Sequence, residues 1–142
     1  MLNFQLHPRL AEDCFWIGSL PLSELLLMND QQFPWFILVP RREATEIYQL
    51  QVPDQQQLLQ ESSVLAEAIQ TIYQPDKLNI AAIGNLVPQL HLHHVARYQN
   101  DCAWPAPIWG KQAPKPYSNQ DALHCLAQMR QQLAAHFQDT IQ

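Results

Sequence analysis

The sequence predicts an α+β fold, with one mostly antiparallel sheet of five strands and helices packed on one of its faces. Three observations lead there. Three short apolar runs succeed one another between residues 14 and 39, joined by links too short for the crossover that a parallel pair needs. Two stretches with helical apolar periodicity stand later in the chain, and two further short apolar runs lie between them.

Taken in order, Cys14 to Gly18 and Leu22 to Met28 read as strands separated by a break at Ser19-Leu20-Pro21. Asn29-Asp30-Gln31-Gln32 is a polar turn. Phe33 to Val39, aromatic and β-branched, reads as the third strand and stops at Pro40 before Arg41-Arg42-Glu43. Pro53-Asp54 opens a helix for which Asp54 is the expected cap, with Gln57 three residues on; Leu58, Ser62, Leu65, Ile69 and Ile72 share one face, and the helix ends before Pro75. Leu78 to Ile83 and Leu90 to Tyr98 are expected as strands four and five, joined by Gly84-Asn85-Leu86-Val87-Pro88. Asp101 to Tyr117 holds Pro105, Pro107, Pro114 and Pro116 with Trp104 and Trp109, a composition that suits an ordered covering loop rather than regular structure. Ser118 to Phe137 closes the chain as an amphipathic helix with Leu123, Leu126, Met129 or Arg130, Leu133 and Phe137 at helical spacing.

The length of 142 residues and the 47% hydrophobic content suit a single domain, 1–142, with one sizeable core. A formal charge of -5 and only eight Lys and Arg argue against holding a nucleic-acid polymer and favour a small ligand. Gly18, Gly84 and Gly110 are the only glycines, so neither a Walker loop nor a Gly-x-Gly-x-x-Gly turn can be written. Cys14, Cys102 and Cys125 are odd in number and lack a CxxC pair, so a disulfide framework is not indicated. The N-terminal stretch lacks the basic flank and apolar run of a secretory leader, and no segment approaches the roughly 18 to 20 apolar residues of a membrane span. The expectation is a cytoplasmic protein without a membrane partner.

The chemistry concentrates around the fifth strand. Side chains alternate across a strand, so Gln89, His91, His93 and Val95 share one face while Leu90, Leu92, His94 and Ala96 share the other. Two imidazoles and an amide therefore converge. Neutral imidazole is a nucleophile at physiological pH and forms a phosphoramidate with an activated phosphate. The Gly84 to Pro88 turn is placed to aim backbone N–H groups at the same point, as a phosphoryl transition state requires.

With Val-Pro-Gln-Leu before it, His91-Leu92-His93-His94-Val95 resembles the motif His-φ-His-φ-His-φ-φ of the histidine triad (HIT) family, in a bacterial branch, with Gln89 at the first His position. The similarity extends through Phe33 to Arg42, Leu78 to Asn85, Asp101 to Pro105 and Trp109-Gly110, and covers most of residues 14–110. The resemblance implies a HIT-like fold and a nucleotide hydrolase or nucleotidyl transferase, of the nucleotide phosphoramidase or dinucleoside polyphosphate hydrolase type. Its substrate would be a nucleoside monophosphate ester, anhydride or phosphoramidate. His91 would be the nucleophile, and His93 would bind phosphate oxygens or orient it. Gln89 is either a substitute hydrogen-bond donor or the mark of a lost proton relay. In the second case the chain would be a catalytically weak nucleotide-binding or regulatory protein. Asn29 is similar to a family position near the ribose or the nucleophile. The family usually places Ser or Thr five residues before the nucleophile; Leu86 stands there, which leaves its backbone or Asn85 to touch substrate. A homodimer with a continuous sheet and chemistry without a metal or other cofactor are further implications.

Other readings are plainer. His91 and His93 would make two zinc ligands, but no third is signalled. His94 faces the opposite side as a structural histidine, Arg97 at the strand end suits an ion pair, and Trp104 and Trp109 suit packing. The cysteines have no activating partner.

Overall fold

The computed structural model describes residues 3–138. A short helix α1 (Pro8–Asp13) leads into strands β1 (Cys14–Ser19), β2 (Ser23–Met28) and β3 (Trp35–Pro40). A single 3-10 turn (Ile47–Gln49) precedes the long helix α2 (Val52–Tyr73); β4 (Lys77–Ala81), β5 (Leu92–Arg97) and helix α3 (Asn119–Gln132) follow. The five strands form one antiparallel sheet in the order β1-β2-β3-β5-β4. The expected α+β class with a five-stranded antiparallel sheet is therefore observed.

The inner strands β2, β3 and β5 are buried on both sides. On one face Ile17, Leu25, Leu27, Phe36, Leu38, Leu92 and Ala96 pack beneath α2 and α3, which contribute Leu58, Leu65, Ile69, Leu126 and Met129. On the other, Leu26, Ile37 and Val39 are covered by Leu10 of α1 and by Phe4 and Leu6 of the arm before it. Further along that face Phe33 and Val95 lie under Ala103 and Ile108 of the proline-rich loop. The two long helices thus occupy one face, and irregular chain covers the other. Of the residues around 91, the strand-five expectation began too early: β5 starts at Leu92, because Leu90 N bonds to Ala44 O outside the ladder at 2.9 Å.

Two helix boundaries are corrected, and one helix was not expected. The helix α1 had no sequence signal, being six residues long with Leu10 alone buried. Gln51, not Asp54, occupies the N-cap of α2; Pro53 fits the first turn, where a missing N–H is harmless, so the helix begins earlier and the Asp54 carboxylate instead pairs with Arg42 at 2.7 Å. Helix α3 starts as expected after Ser118, whose hydroxyl accepts from Asp121 N at 3.1 Å, but it stops at Gln132. The chain then folds back: Phe137 joins the core and Gln138 N donates to Ser19 O at 2.8 Å. Gly18 permits this approach, since a Cβ there would lie 2.6 Å from the Phe137 ring. Among the described residues, no helix is long and apolar enough to cross a membrane.

Candidate active site

Strand pairing brings the site together. His93 on β5 is level with Ile37 on β3, and Val95 with Trp35, so the Trp35 indole reaches diagonally to the His93 ring on the arm-covered face. His91 stands one residue before β5 on that same face. Their rings meet edge to face with centroids 4.8 Å apart, and the Trp109 ring of the covering loop closes over His93 at 5.3 Å. Trp35 completes the cluster, 5.7 Å from His93 and 6.1 Å from Trp109.

Each histidine has its proton placed by a partner that can act in one way only. His91 Nδ1 lies 2.7 Å from the Gln89 carbonyl oxygen, which can only accept, so Nδ1 carries a proton and in the neutral ring the lone pair is on Nε2. His93 Nδ1 lies 3.0 Å from Trp35 Nε1, which can only donate, so the proton of neutral His93 is on Nε2. Burial, with His91 and His94 nearby, pushes His93 down to about 3, and it is neutral at pH 7. On the opposite face, buried His94 donates from Nδ1 to Leu92 O (3.1 Å) and accepts at Nε2 from the Ser62 hydroxyl of α2 (2.7 Å). Burial pushes it down to about 4, only partly offset by its bond to Leu92. Trp109 Nε1 is buried with no hydrogen-bond partner among the described residues.

Gln89 lies beside the pair, but its side chain reaches the arm: Oε1 accepts from His7 N (2.8 Å) and Nε2 donates to Gln5 O (2.9 Å). Asn85 is exposed in the β4–β5 connection, where Gly84 adopts a left-handed φ of 69° and Leu86 is 80% exposed. A narrow crevice between Thr45-Glu46 and Ala82 to Gly84 reaches His91. It adjoins a cleft of about 890 Å³ whose lining includes Phe4, Gln5, Arg41, Arg42, Thr45 and Gln89. The structure does not bring Asn29 to the pair. It lies beyond the Leu27–Phe36 rung, at the end of the sheet away from His91, and its Oδ1 accepts from Tyr117 N at 2.8 Å.

Arg97 is a structural residue. It is 2% exposed, its guanidinium bridges Asp101 (2.8 and 3.1 Å) and Asn79 (2.8 Å), and it lies over the Phe33 and Trp104 rings. Burial alone would raise the Asp101 carboxyl, but bonds from Arg97 and from the Tyr98, Ala103 and Trp104 N–H groups hold it at about 2. Burial and the Asp13 charge push the Cys14 thiol up to about 12, which makes it a poor nucleophile. Among the described residues no group of three or more His, Cys, Asp or Glu is placed to hold a metal ion.

Sequence reasoning passed over two participants, Trp35 and the arm at Gln5 to His7. Alternation from Ile37 and Val39 would have put Trp35 on the same face of β3, but its partner strand was not readable. The arm carried no pattern.

Fold and site define a class: an antiparallel α+β domain that presents paired histidines at a strand end beneath an aromatic cover. Comparison with known proteins agrees. The HIT domain model matches residues 9–100. A histidine triad protein from Marinobacter aquaeolei is 50% identical with a TM-score of 0.91, over 94% of this chain and 98% of that one. One from Bradyrhizobium japonicum is 45% identical with a TM-score of 0.89, over 91% and 97%. One from Sinorhizobium meliloti is 37% identical with a TM-score of 0.90, over 92% and 98%. Comparison with curated proteins gives no match. The chain belongs to the HIT domain family.

Proposed function

We propose that the protein is a nucleotide hydrolase or nucleotidyl transferase that cleaves a nucleoside monophosphate ester, anhydride or phosphoramidate through a covalent His91 intermediate. The observation that carries this reading is the bond from His91 Nδ1 to the Gln89 carbonyl at 2.7 Å, which leaves Nε2 free to attack phosphorus. As the N–P bond forms, the bond to the leaving group breaks with its electron pair, and the leaving group takes a proton from solvent water as it departs. The Gln89 carbonyl stabilises the positive imidazole ring that results. Water then attacks phosphorus, the N–P bond breaks, and nucleoside monophosphate and a proton are released with imidazole restored. His93 serves the phosphoryl oxygens, and Asn85 with the backbone around Leu86 is the substrate contact assigned to the β4–β5 connection. Asn29 keeps its Nδ2 donors and one lone pair of Oδ1 for a ligand, the other lone pair being bonded to Tyr117 N.

Rapid acid-free quenching of a reaction with adenosine phosphoramidate, followed by intact-mass measurement, tests the covalent step. The wild type gains the mass of an adenylyl group on His91; a chain that turns over substrate without that adduct contradicts it.

The second reading, a catalytically weak nucleotide-binding or regulatory protein, is favoured by one observation. The Gln89 side chain stands at the motif's first position yet is bonded to Gln5 and His7 rather than free for substrate. Gln89→His discriminates: a large gain in rate supports a weakened site, and little change supports a competent one. The homodimer that the family resemblance implies belongs to this proposal too. Edge strand β4 has one unpaired side, and Ile80 on it is 47% exposed.

A further inference from the structure

We infer that Trp35 is a positioning residue that locks His93 as an Nε2–H hydrogen-bond donor beside the bare Nε2 of His91. An indole Nε1–H has no lone pair to offer, and it stands 3.0 Å from His93 Nδ1. That nitrogen must therefore hold its lone pair. A doubly protonated His93 would face Trp35 with two donors and lose the bond. Neutral His93 has one remaining place for its proton, Nε2, on the side of the ring away from Trp35.

The neighbouring ring is set the other way. His91 Nδ1–H is fixed on the Gln89 carbonyl, so its Nε2 is a lone pair. Two rings 4.8 Å apart thus present opposite chemistry, one a nucleophile and one a donor. In this proposal the His93 donor serves the non-bridging oxygens of a phosphate attacked by His91, whose negative charge it stabilises in the transition state. The wrong His93 tautomer would turn a lone pair toward them. Trp35 acts through His93 and need not touch substrate. Its second anchor is Trp109, which packs against both rings and fixes their tilt.

The tautomer part of this inference is independent of the reaction; the effect on rate rests on the proposed nucleotidyl chemistry. The test separates the two. In protein labelled with 15N in histidine and tryptophan, a scalar coupling across the hydrogen bond between Trp35 Nε1 and His93 Nδ1 is expected in the wild type, together with an Nε2–H pattern for the His93 ring. An Nδ1–H pattern in the wild type overturns the inference, and this measurement needs no variant. In Trp35→Phe the His93 ring is expected to lose its single tautomer and show a mixture. With adenosine phosphoramidate as substrate, kcat is expected to fall on the order of tenfold with KM little changed. A variant that keeps the Nε2–H pattern, or changes it without loss of kcat, overturns the positioning role. A wild type that shows the coupling but turns over no nucleotide substrate contradicts the proposed function and leaves the tautomer assignment standing.

Discussion

The side-chain Oε1 of Gln89 accepts from the His7 backbone N–H at 2.8 Å, while the backbone carbonyl oxygen of Gln89 accepts from His91 Nδ1 at 2.7 Å. One residue thus touches both the N-terminal arm and the His91 ring. The arm is apolar where it crosses the sheet, with Phe4 and Leu6 on Leu26, Ile37 and Val39, so it is both packed and tied.

Gln89→Ala removes both amide bonds to the arm and leaves His7 N and Gln5 O to water. The expected cost is about 1–2 kcal/mol of stability. Amide hydrogen exchange at residues 5–7 is expected to accelerate, while the His91 bond to the backbone carbonyl persists. Unchanged exchange in the arm would show that packing alone holds it.

Stability is expected to depend on pH through His94. Its folded pKa of about 4 lies below the ordinary imidazole value of 6.5, so the unfolded chain binds the proton more readily. The contribution is fully present above pH 6.5 and is lost as pH falls toward 4. Its size is on the order of 3 kcal/mol. His93, lowered to about 3, acts in the same direction. Thermal melting across pH 8 to about 4 should show a flat upper limb and a falling lower one. His94→Gln should flatten part of the fall; an unchanged slope would locate the acid sensitivity elsewhere.

Gly18→Ala places a Cβ 2.6 Å from the Phe137 ring. The ring must move off the core, at an expected cost of about 1–3 kcal/mol and a drop of several degrees in Tm. Phe137→Ala removes the obstacle. In that background Gly18→Ala should cost little further, and a full additive loss would mean the clash is relieved some other way.

The histidine face was legible because a strand has period two. Gln89, His91 and His93 needed only alternation to be placed on one side and His94 on the other. The meander was legible because short links between apolar runs leave no room for a crossover. What was not legible depended on contacts remote in sequence. Trp35 and His93 meet across strands through the register of β3 and β5. Gln89 meets Gln5 and His7 from the far end of the domain. Phe137 continued the helical spacing of α3, yet it packs from beyond the helix end, since apolar periodicity cannot tell a last helical turn from a tail that folds back. Asn29 followed from resemblance alone; here its Oδ1 accepts from Tyr117 N of the proline-rich loop.

The proposed attack by His91 Nε2 is read out by turnover. Adenosine phosphoramidate and dinucleoside polyphosphates should be consumed by the wild type, and His91→Ala, its fold verified, should lose at least about a thousandfold in kcat/KM. Equal rates in the two proteins would contradict the account.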